Sequence, residues 1–476
     1  MKIAFFYPER GYLGTGNRSI WGGRFYYSLG VLAGVIKKQG HSVSIKGGVK
    51  TFTMMELSAS VKREKPDLIG ISALSHQSGS VRNMVGKLRS LAPGVPLVFG
   101  GIHCTIDPED ALLDSGADFV VCGEGEKPLT ELLSTIESGK SPAGIPGVWR
   151  KQGTSITPAL PAELVSDLDD LPFADLETAH FMESDDYRIF HRFPILAARG
   201  CPHSCDFCCN SAWQSLYGPG HYRFRSPEHV CDELQSVAVI YKDLEYIQFQ
   251  NDVFFPNLQW LERFVKLYRQ VNLPLSVLLS LDMINKDSAQ LLAELPLREV
   301  FVGIEHGGLD RTGKSGGEDF AKSVCERTRI LRDLGIRLAT FNMLGIPGGT
   351  AGDIYDSLLL NTHAAPAMVQ VSYLYPYRKT AVYDRFSGLR APLSYPTYFE
   401  GTVFRRKHVE RHLRFYFVNY VRLLELMISI AEKKDRLARI LFRGLFWPLP
   451  LSLKRILLRI VSAKVQIERK VFRIRF

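Results

Sequence analysis

Three cysteines, Cys201, Cys205 and Cys208, stand at C-x3-C-x2-C spacing in the loop Cys201-Pro202-His203-Ser204-Cys205-Asp206-Phe207-Cys208. Thiolates are soft ligands suited to iron–sulfur clusters. Three on one short loop can hold a four-iron cluster by three corners and leave one iron open. A structural zinc site asks for four ligands and paired C-x2-C knuckles, and this loop has neither. Three core cysteines gathered by chance is the bland alternative. Cys209 falls outside the spacing and reads as a bystander.

Such a loop needs elements to position it. The apolar run Phe193–Ala198 and Gly200 lead into it, and the same rhythm of short apolar runs and helical stretches continues to about Arg390. Candidate strands there are Phe193–Ala198, Tyr246–Gln250, Leu275–Ser280, Glu299–Ile304, Leu338–Leu344 and Val369–Tyr375. Residues 1–150 alternate in the same way. Strands are expected at Ile3–Tyr7, Ser42–Ile45, Leu68–Ser72, Leu97–Phe99 and Phe119–Val121, with helices at Tyr27–Gln39, Met54–Glu64 and Ser80–Leu91. This predicts an α/β chain that opens with a doubly wound, Rossmann-like parallel sheet, its ligand beyond the carboxyl ends of the strands. Residues 151–192, polar and proline-bearing, read as a linker.

The loop, with Phe207 just before the third cysteine, resembles the radical S-adenosylmethionine (SAM) superfamily. That resemblance implies a [4Fe-4S] cluster on Cys201, Cys205 and Cys208, its open iron chelating SAM, in a partial (β/α)6 barrel over 193–390. The ends of the expected strands carry further echoes. Gln250-Asn251-Asp252-Val253-Phe254 is similar to the family's D-D-x-F, with Asn251 departing from it, and implies that Asp252 meets the SAM amino group. Gly303-Ile304-Glu305 resembles G-x-E at the ribose and methionine edge. Gly345-Ile346-Pro347-Gly348-Gly349-Thr350 is similar to G-x-P-G-E-T with Gly349 in place of Glu, which implies Gly345 and Pro347 beside the adenine. Ser280-Leu281-Asp282 lacks the arginine that relatives often carry.

The first 150 residues resemble cobalamin-binding domains. Ser72-Ala73-Leu74 matches S-x-L, Gly100-Gly101 follows 25 residues later, and Gly30 precedes Ser72 by 41 residues. The resemblance implies a corrin against Gly30, Ser72, Leu74, Gly100 and Gly101. The family's Asp and His positions are Phe25 and Tyr27 here, so no histidine is offered to cobalt from below. Cys122-Gly123-Glu124-Gly125-Glu126 also looks like this domain as it occurs fused to radical SAM barrels. His76, His103 and Cys104 read as loop-lining residues rather than ligands.

The chain is 476 residues long with a net charge of +10. From Gly401 to Phe476 there are 19 Lys/Arg against 5 Asp/Glu, so the basic character belongs to the tail. Residues 391–476 are expected to be a small helical region, amphipathic and basic, able either to cap the barrel or to lie on a membrane surface. No aromatic-stacking module accompanies the charge, so nucleic acid is not an expected partner. Eight cysteines, three of them in the loop, imply a reducing compartment, and Met1–Tyr7 reads as a first strand, not a signal peptide. The expected location is the cytoplasm, with peripheral contact at the inner face of the membrane through 401–476.

Taken together the resemblances imply three cofactors: a [4Fe-4S] cluster, SAM and cobalamin. They imply reductive cleavage of SAM to a 5′-deoxyadenosyl radical, hydrogen abstraction, and methyl transfer to an unactivated carbon of a lipophilic small molecule. A flavodoxin- or ferredoxin-type electron donor is implied as a partner. Oxidative cyclisation of the porphyrin-cyclase kind is the alternative within the family, and a non-catalytic cobalamin carrier or sensor is the alternative outside it.

Overall fold

The computed structural model describes residues 1–8, 26–49, 53–307, 317–385, 407–433 and 436–465. Phe25, the side chain of His76, and positions 391–406, 434–435 and 466–476 of the C-terminal region lie outside the described residues.

The first sheet has seven strands: β1 Lys2–Pro8, β2 Ser42–Val49, β3 Leu68–Ser72, β4 Leu97–Gly100, β5 Phe119–Val121, β6 Val148–Gln152 and β7 Ser155–Thr157. Their order is β2-β1-β3-β4-β5-β6-β7. β1 to β5 are parallel, as their unbroken apolar runs require; β3, for example, is buried at all five positions. β6 and β7 form an antiparallel hairpin on the edge, so the sheet is mixed and reaches Thr157. The polar linker expected from residue 151 therefore begins inside the hairpin. From Val148 to Thr157 the residues pass from buried through half-buried to mostly exposed, as the chain runs out to the solvated edge of the sheet.

The second sheet runs β8 Arg192–Ile195, β11 Tyr246–Phe249, β12 Leu275–Leu279, β13 Leu297–Glu305, β14 Leu338–Leu344 and β15 Met368–Tyr373, all parallel and in chain order. The intervening helices have polar N-caps that answer orphan amides, such as Ser226 before Pro227, Asn257, and Thr350 in a capping box with Asp353. A two-residue antiparallel ladder, β9 Ala198–Arg199 with β10 Arg223–Phe224, stands beside the first barrel strand and anchors the cysteine loop.

One apolar core runs from the first sheet through the connector into the barrel, joined by Tyr27, Phe181 and Phe193. The Phe193 ring lies 6.2 Å from that of Tyr27 and 5.4 Å from that of Phe181. The C-terminal helices Lys407–Lys433, Arg436–Gly444 and Leu451–Val465 build a separate core on β14, β15 and the helix Ala351–Ala364. They cap the barrel. Among the described residues no helix is long and apolar enough to cross a membrane.

Candidate active site

The cysteine loop leaves β9 through Gly200, whose φ is +80° and whose Cα hydrogen points at His221; a Cβ there would lie 2.3 Å from the His221 carbonyl. The Cys201 amide approaches His221 Nε2 at 3.5 Å. Cys208 donates its amide to the Cys205 carbonyl at 3.0 Å and caps the helix Cys209–Tyr217. On the far side, Asp206 is held by Arg385 at 2.8 Å and its carbonyl accepts from the Val382 amide at 3.0 Å. Phe207 packs with Met343, Ile346, Leu374 and Val382, which explains the aromatic before the third cysteine. The loop is thus tied at both ends to the barrel mouth.

None of the three loop cysteines is in a disulfide; Cys201 is buried and the other two are half-buried. Burial, then the nearby Asp252, Cys208 and Cys205, push the Cys201 pKa up to about 12. The Cys201 thiol, so placed, keeps its proton unless a metal takes the charge. Among the described residues no three His, Cys, Asp or Glu side chains close in on one ion. An iron–sulfur cube binds each thiolate at a different corner, so its sulfurs stand wider apart than ligands around a single ion. Three cysteines outside any disulfide on one fixed loop suit that cluster and not a lone cation.

Between the two sheets lies a cavity of about 370 Å³. One wall is the first sheet: Ser72, Gly100, Gly101 and the Tyr26 ring. The other is the barrel: Cys209, Asn210, Asn251 and Asp252. Gly101 turns at φ +111° with its backbone against Ala73, where a Cβ would sit 2.5 Å from the Ala73 carbonyl. Gly100 beside it has open space where a Cβ would project. Tyr26 accepts a hydrogen bond from Ser72 Oγ at 3.1 Å. Tyr27, which occupies the family's histidine position, instead donates to Glu233 at 2.8 Å and accepts from Arg225 at 2.9 Å across the domain boundary. The backbone cradle and flat aromatic floor fit a large planar ligand, with no imidazole beneath it.

Asp252 faces this cavity, accessible from it and walled by protein. Burial raises its pKa, and the Asn210 amide, donating at 2.9 Å, works against that. Asn251 spends its carbonyl on the Ala197 amide at 2.7 Å, while its buried Nδ2 has no partner. An orphaned donor beside a carboxylate is what a zwitterionic amino-acid moiety satisfies: ammonium to Asp252, carboxylate toward Asn251. The replacement of the family's first Asp by Asn therefore keeps a polar partner, removes its charge and adds a donor. Cys209 also lines the cavity; its thiol pKa is pushed up first by a hydrogen bond with Cys208 and then by burial. Its contact with a loop thiol was missed because the spacing rule ends at Cys208.

Not every expected site residue gathers here. Gly30 lies against Ala174 and its carbonyl accepts from Asp175, so it serves helix–connector packing and not the cavity wall. Leu74 caps a short turn through Gln77, also outside the lining. Both lie one helix face or one turn away from the residues that do line it, an offset that spacing alone does not reveal. Glu305 ends β13 at φ +62°, next to a register shift against β14, and folds over Gly303. A non-glycine in that region is a strained position. Glu305 and Pro347 stand at the barrel mouth outside the cavity lining, and Gly345 lines a second cavity. Asp282, left without the family's arginine, pairs with His203 of the cysteine loop at 3.6 Å. His103 is buried beside Phe99, away from the cavity.

The two walls are locked by charge. Glu124 binds Arg223 at 2.6 Å and Arg199 at 3.1 Å, and accepts the Val165 amide at 2.9 Å. Glu126 takes the other face of Arg199 at 2.6 Å. Burial opposes ionisation of Glu124, but Arg199 and Arg223 hold its carboxyl below the usual range. Arg378, beyond the last strand, reaches Asp107 and Asp110 of the first domain. The Gly-Glu-Gly-Glu sequence is therefore a clamp on Arg199, two residues before Cys201.

A B12-binding domain model matches residues 27–133, and a radical SAM superfamily model matches residues 195–360. An uncharacterized methyltransferase of Pyrococcus horikoshii is 24% identical over 366 residues, 75% of this chain and 77% of that protein. The anaerobic magnesium-protoporphyrin IX monomethyl ester cyclase of Rubrivivax gelatinosus is 26% identical over 246 residues, 49% of this chain and 42% of the cyclase. Among solved structures, the radical SAM methyltransferase TsrM of Kitasatospora setae, with tryptophan and a SAM analogue bound, superposes with a TM-score of 0.65 at 20% identity, over 82% of this chain and 76% of TsrM. The fold, the thiol loop and the cradle between the sheets agree with both domain assignments. The chain belongs to the radical SAM enzymes that carry an N-terminal B12-binding domain, with a [4Fe-4S] cluster, SAM and cobalamin as its cofactors.

Proposed function

We propose that this protein transfers a methyl group to an unactivated carbon of a lipophilic small molecule. The observation that carries the reading is the single cavity with Ser72, Gly100 and Gly101 on one wall and Asp252, Asn251 and Cys209 on the other. Residues expected at the corrin site and at the amino-acid end of SAM thereby face one partly open space, whose walls limit the access of bulk water. When bound, the cluster, SAM and cobalamin supply the radical and the methyl group. The chain's own part is to hold them. Cys201, Cys205 and Cys208 grip the cluster; Asp252 and Asn251 orient the amino-acid end of SAM; Glu305 and Pro347, at the barrel mouth, are the candidates for its nucleoside end, while Gly345 faces the second cavity. Ser72, Gly100 and Gly101 seat the corrin over Tyr26. Anaerobic reconstitution with deuteromethyl SAM tests this: 5′-deoxyadenosine and a three-deuterium methyl gain on an acceptor are expected. The likeness to the cyclase supports a second reading, oxidative ring closure; there the acceptor would lose hydrogens and gain no deuterium. Iron and cobalt bound with no 5′-deoxyadenosine in the presence of acceptor would favour the carrier.

The lipophilic substrate rests on the C-terminal helices. Leu437, Ile440, Trp447, Leu453, Ile456 and Ile460 are exposed, interleaved with exposed Arg436, Arg439, Arg455 and Arg459. A surface of that make-up suits an anionic membrane face, each basic residue adding about 1 kcal/mol. Flotation with anionic liposomes, compared between the wild type and I440E/I456E, checks it. Equal flotation would remove membrane contact from the reading. Deleting the tail would not test this, because these helices also cover the core on β14 and β15.

A further inference from the structure

A second cavity, of about 420 Å³, lies outside the first, between the turn Gly345–Thr350 and the C-terminal helices. Its far wall is Val409, Leu413, Phe446 and Trp447, and its inner end carries Tyr416 and Lys454. Lys454 sits on the helix Leu451–Val465 between exposed Leu453 and Arg455, yet it turns inward and is 2% exposed. Its ammonium donates to Tyr416 Oη at 2.6 Å and stands 4.9 Å from that ring. Tyr416 in turn donates to the Leu445 carbonyl at 2.8 Å, so its hydroxyl is fully used. An ammonium has three donors. Among the described residues nothing takes the other two, and no carboxylate pairs with Lys454. Asp353, on the helix that follows the turn, is occupied by the Thr350 amide at 2.6 Å and hydroxyl at 3.1 Å.

A buried cation with unspent donors is costly to keep. Burial has already pushed its pKa down to about 8. An apolar side chain would fill the same space at no such cost, so the site holds charge where packing does not ask for it. The cavity opens beside Trp447, which is 58% exposed on the surface assigned above to the membrane. We propose that this cavity binds the anionic end of an amphiphile, its carboxylate or phosphate on Lys454 and its apolar body along Leu413, Phe446 and Trp447. The inference deepens the lipophilic-substrate reading and rests on it for the occupant's source.

Calorimetric titration of the full chain with dodecanoate and with dodecyl phosphate, below micelle-forming concentrations and with dodecanol as the uncharged control, tests it. At least one anion should bind one equivalent per chain, ten times or more tighter than dodecanol. The stronger anion identifies carboxylate or phosphate as the group. Lys454→Met, which keeps the stem and removes the charge, should erase the preference, and Lys454→Arg should keep it. Equal binding of dodecanol to the wild type, or an undiminished preference in Lys454→Met, would overturn the proposal. No step of this test needs cofactors. A chain that binds anions selectively but moves no methyl group would fail only the catalytic reading.

Discussion

The barrel has two seams, and ion pairs lock only one of them. Against the first domain a shared apolar core is pinned by charge: Glu124 with Arg199 and Arg223, Glu126 with Arg199, and Glu233 with Arg225 and the Tyr27 hydroxyl. Against the C-terminal helices it is joined by apolar and aromatic packing, including Leu344, Leu358 and Tyr373 with Tyr420, Leu423 and Leu426. Apolar packing stabilises but is tolerant of small shifts, whereas a buried charge pair is satisfied in one geometry only. The seam that must hold two cofactors in register uses the directional material. The seam that closes the barrel, and flanks the second cavity, relies on apolar packing and on the neutral hydrogen bonds of Tyr420 with Asn342 and Asn361.

Four predictions bear on that contrast. The largest effect is expected at the loop itself. Cys208→Ala should abolish retention of the cluster, read as iron content and the absorbance near 400 nm (~), with 5′-deoxyadenosine formation lost by ~10²-fold or more. At the polar seam, Glu124→Ala takes the carboxylate from half-buried Arg223, leaves Arg199 to Glu126 alone, and should cost about 3 kcal/mol in denaturant unfolding. It should also lower iron and cobalt retention, because Arg199 leads into the loop. At the apolar seam, Leu423→Ala should cost a similar 2–5 kcal/mol and leave iron and cobalt per folded chain unchanged. If both variants lose metal equally, the contrast between seams is void.

The smallest effect is a pH dependence within the apolar seam. Lys454 is lowered to about 8 in the folded chain from an unfolded value near ~10.4. Below the folded value both states carry the proton and the burial penalty is present in full. As pH rises from about 8 toward ~10.4 the unfolded state binds more protons, so stability is regained, by ~1–3 kcal/mol. Lys454→Met should be the more stable protein at pH 7, with its advantage shrinking across that window. An advantage independent of pH would show that Lys454 is not held in a desolvated place.

Much of this was legible in the sequence. β3 and β14 fall on the residues their apolar runs marked, and Asp252, Ser72 and the diglycine, all expected at strand ends, line one cavity. What stayed hidden depends on contacts between distant segments. Tyr27 occupies a ligand position by spacing, but its hydroxyl is claimed by Glu233, 206 residues away. Gly30 satisfies a family pattern while packing on a connector. The Gly-Glu-Gly-Glu run looks like a loop until Arg199 and Arg223 arrive to give its acids a purpose. Lys454 is the sharpest case. Periodicity put it on the basic outer face with Arg455 and Arg459, and only the packing of three helices turns it inward.

The grip of Glu124 on two arginines and one amide has a bearing on how such proteins can be taken apart. A barrel excised from about residue 193 would keep all three thiols and lose both acids that steady the residue leading into them. Grafting a foreign corrin domain in front of it would meet the same obstacle unless the graft brought its own paired acids at the right height. The two halves look modular on paper; at Arg199 they are one part.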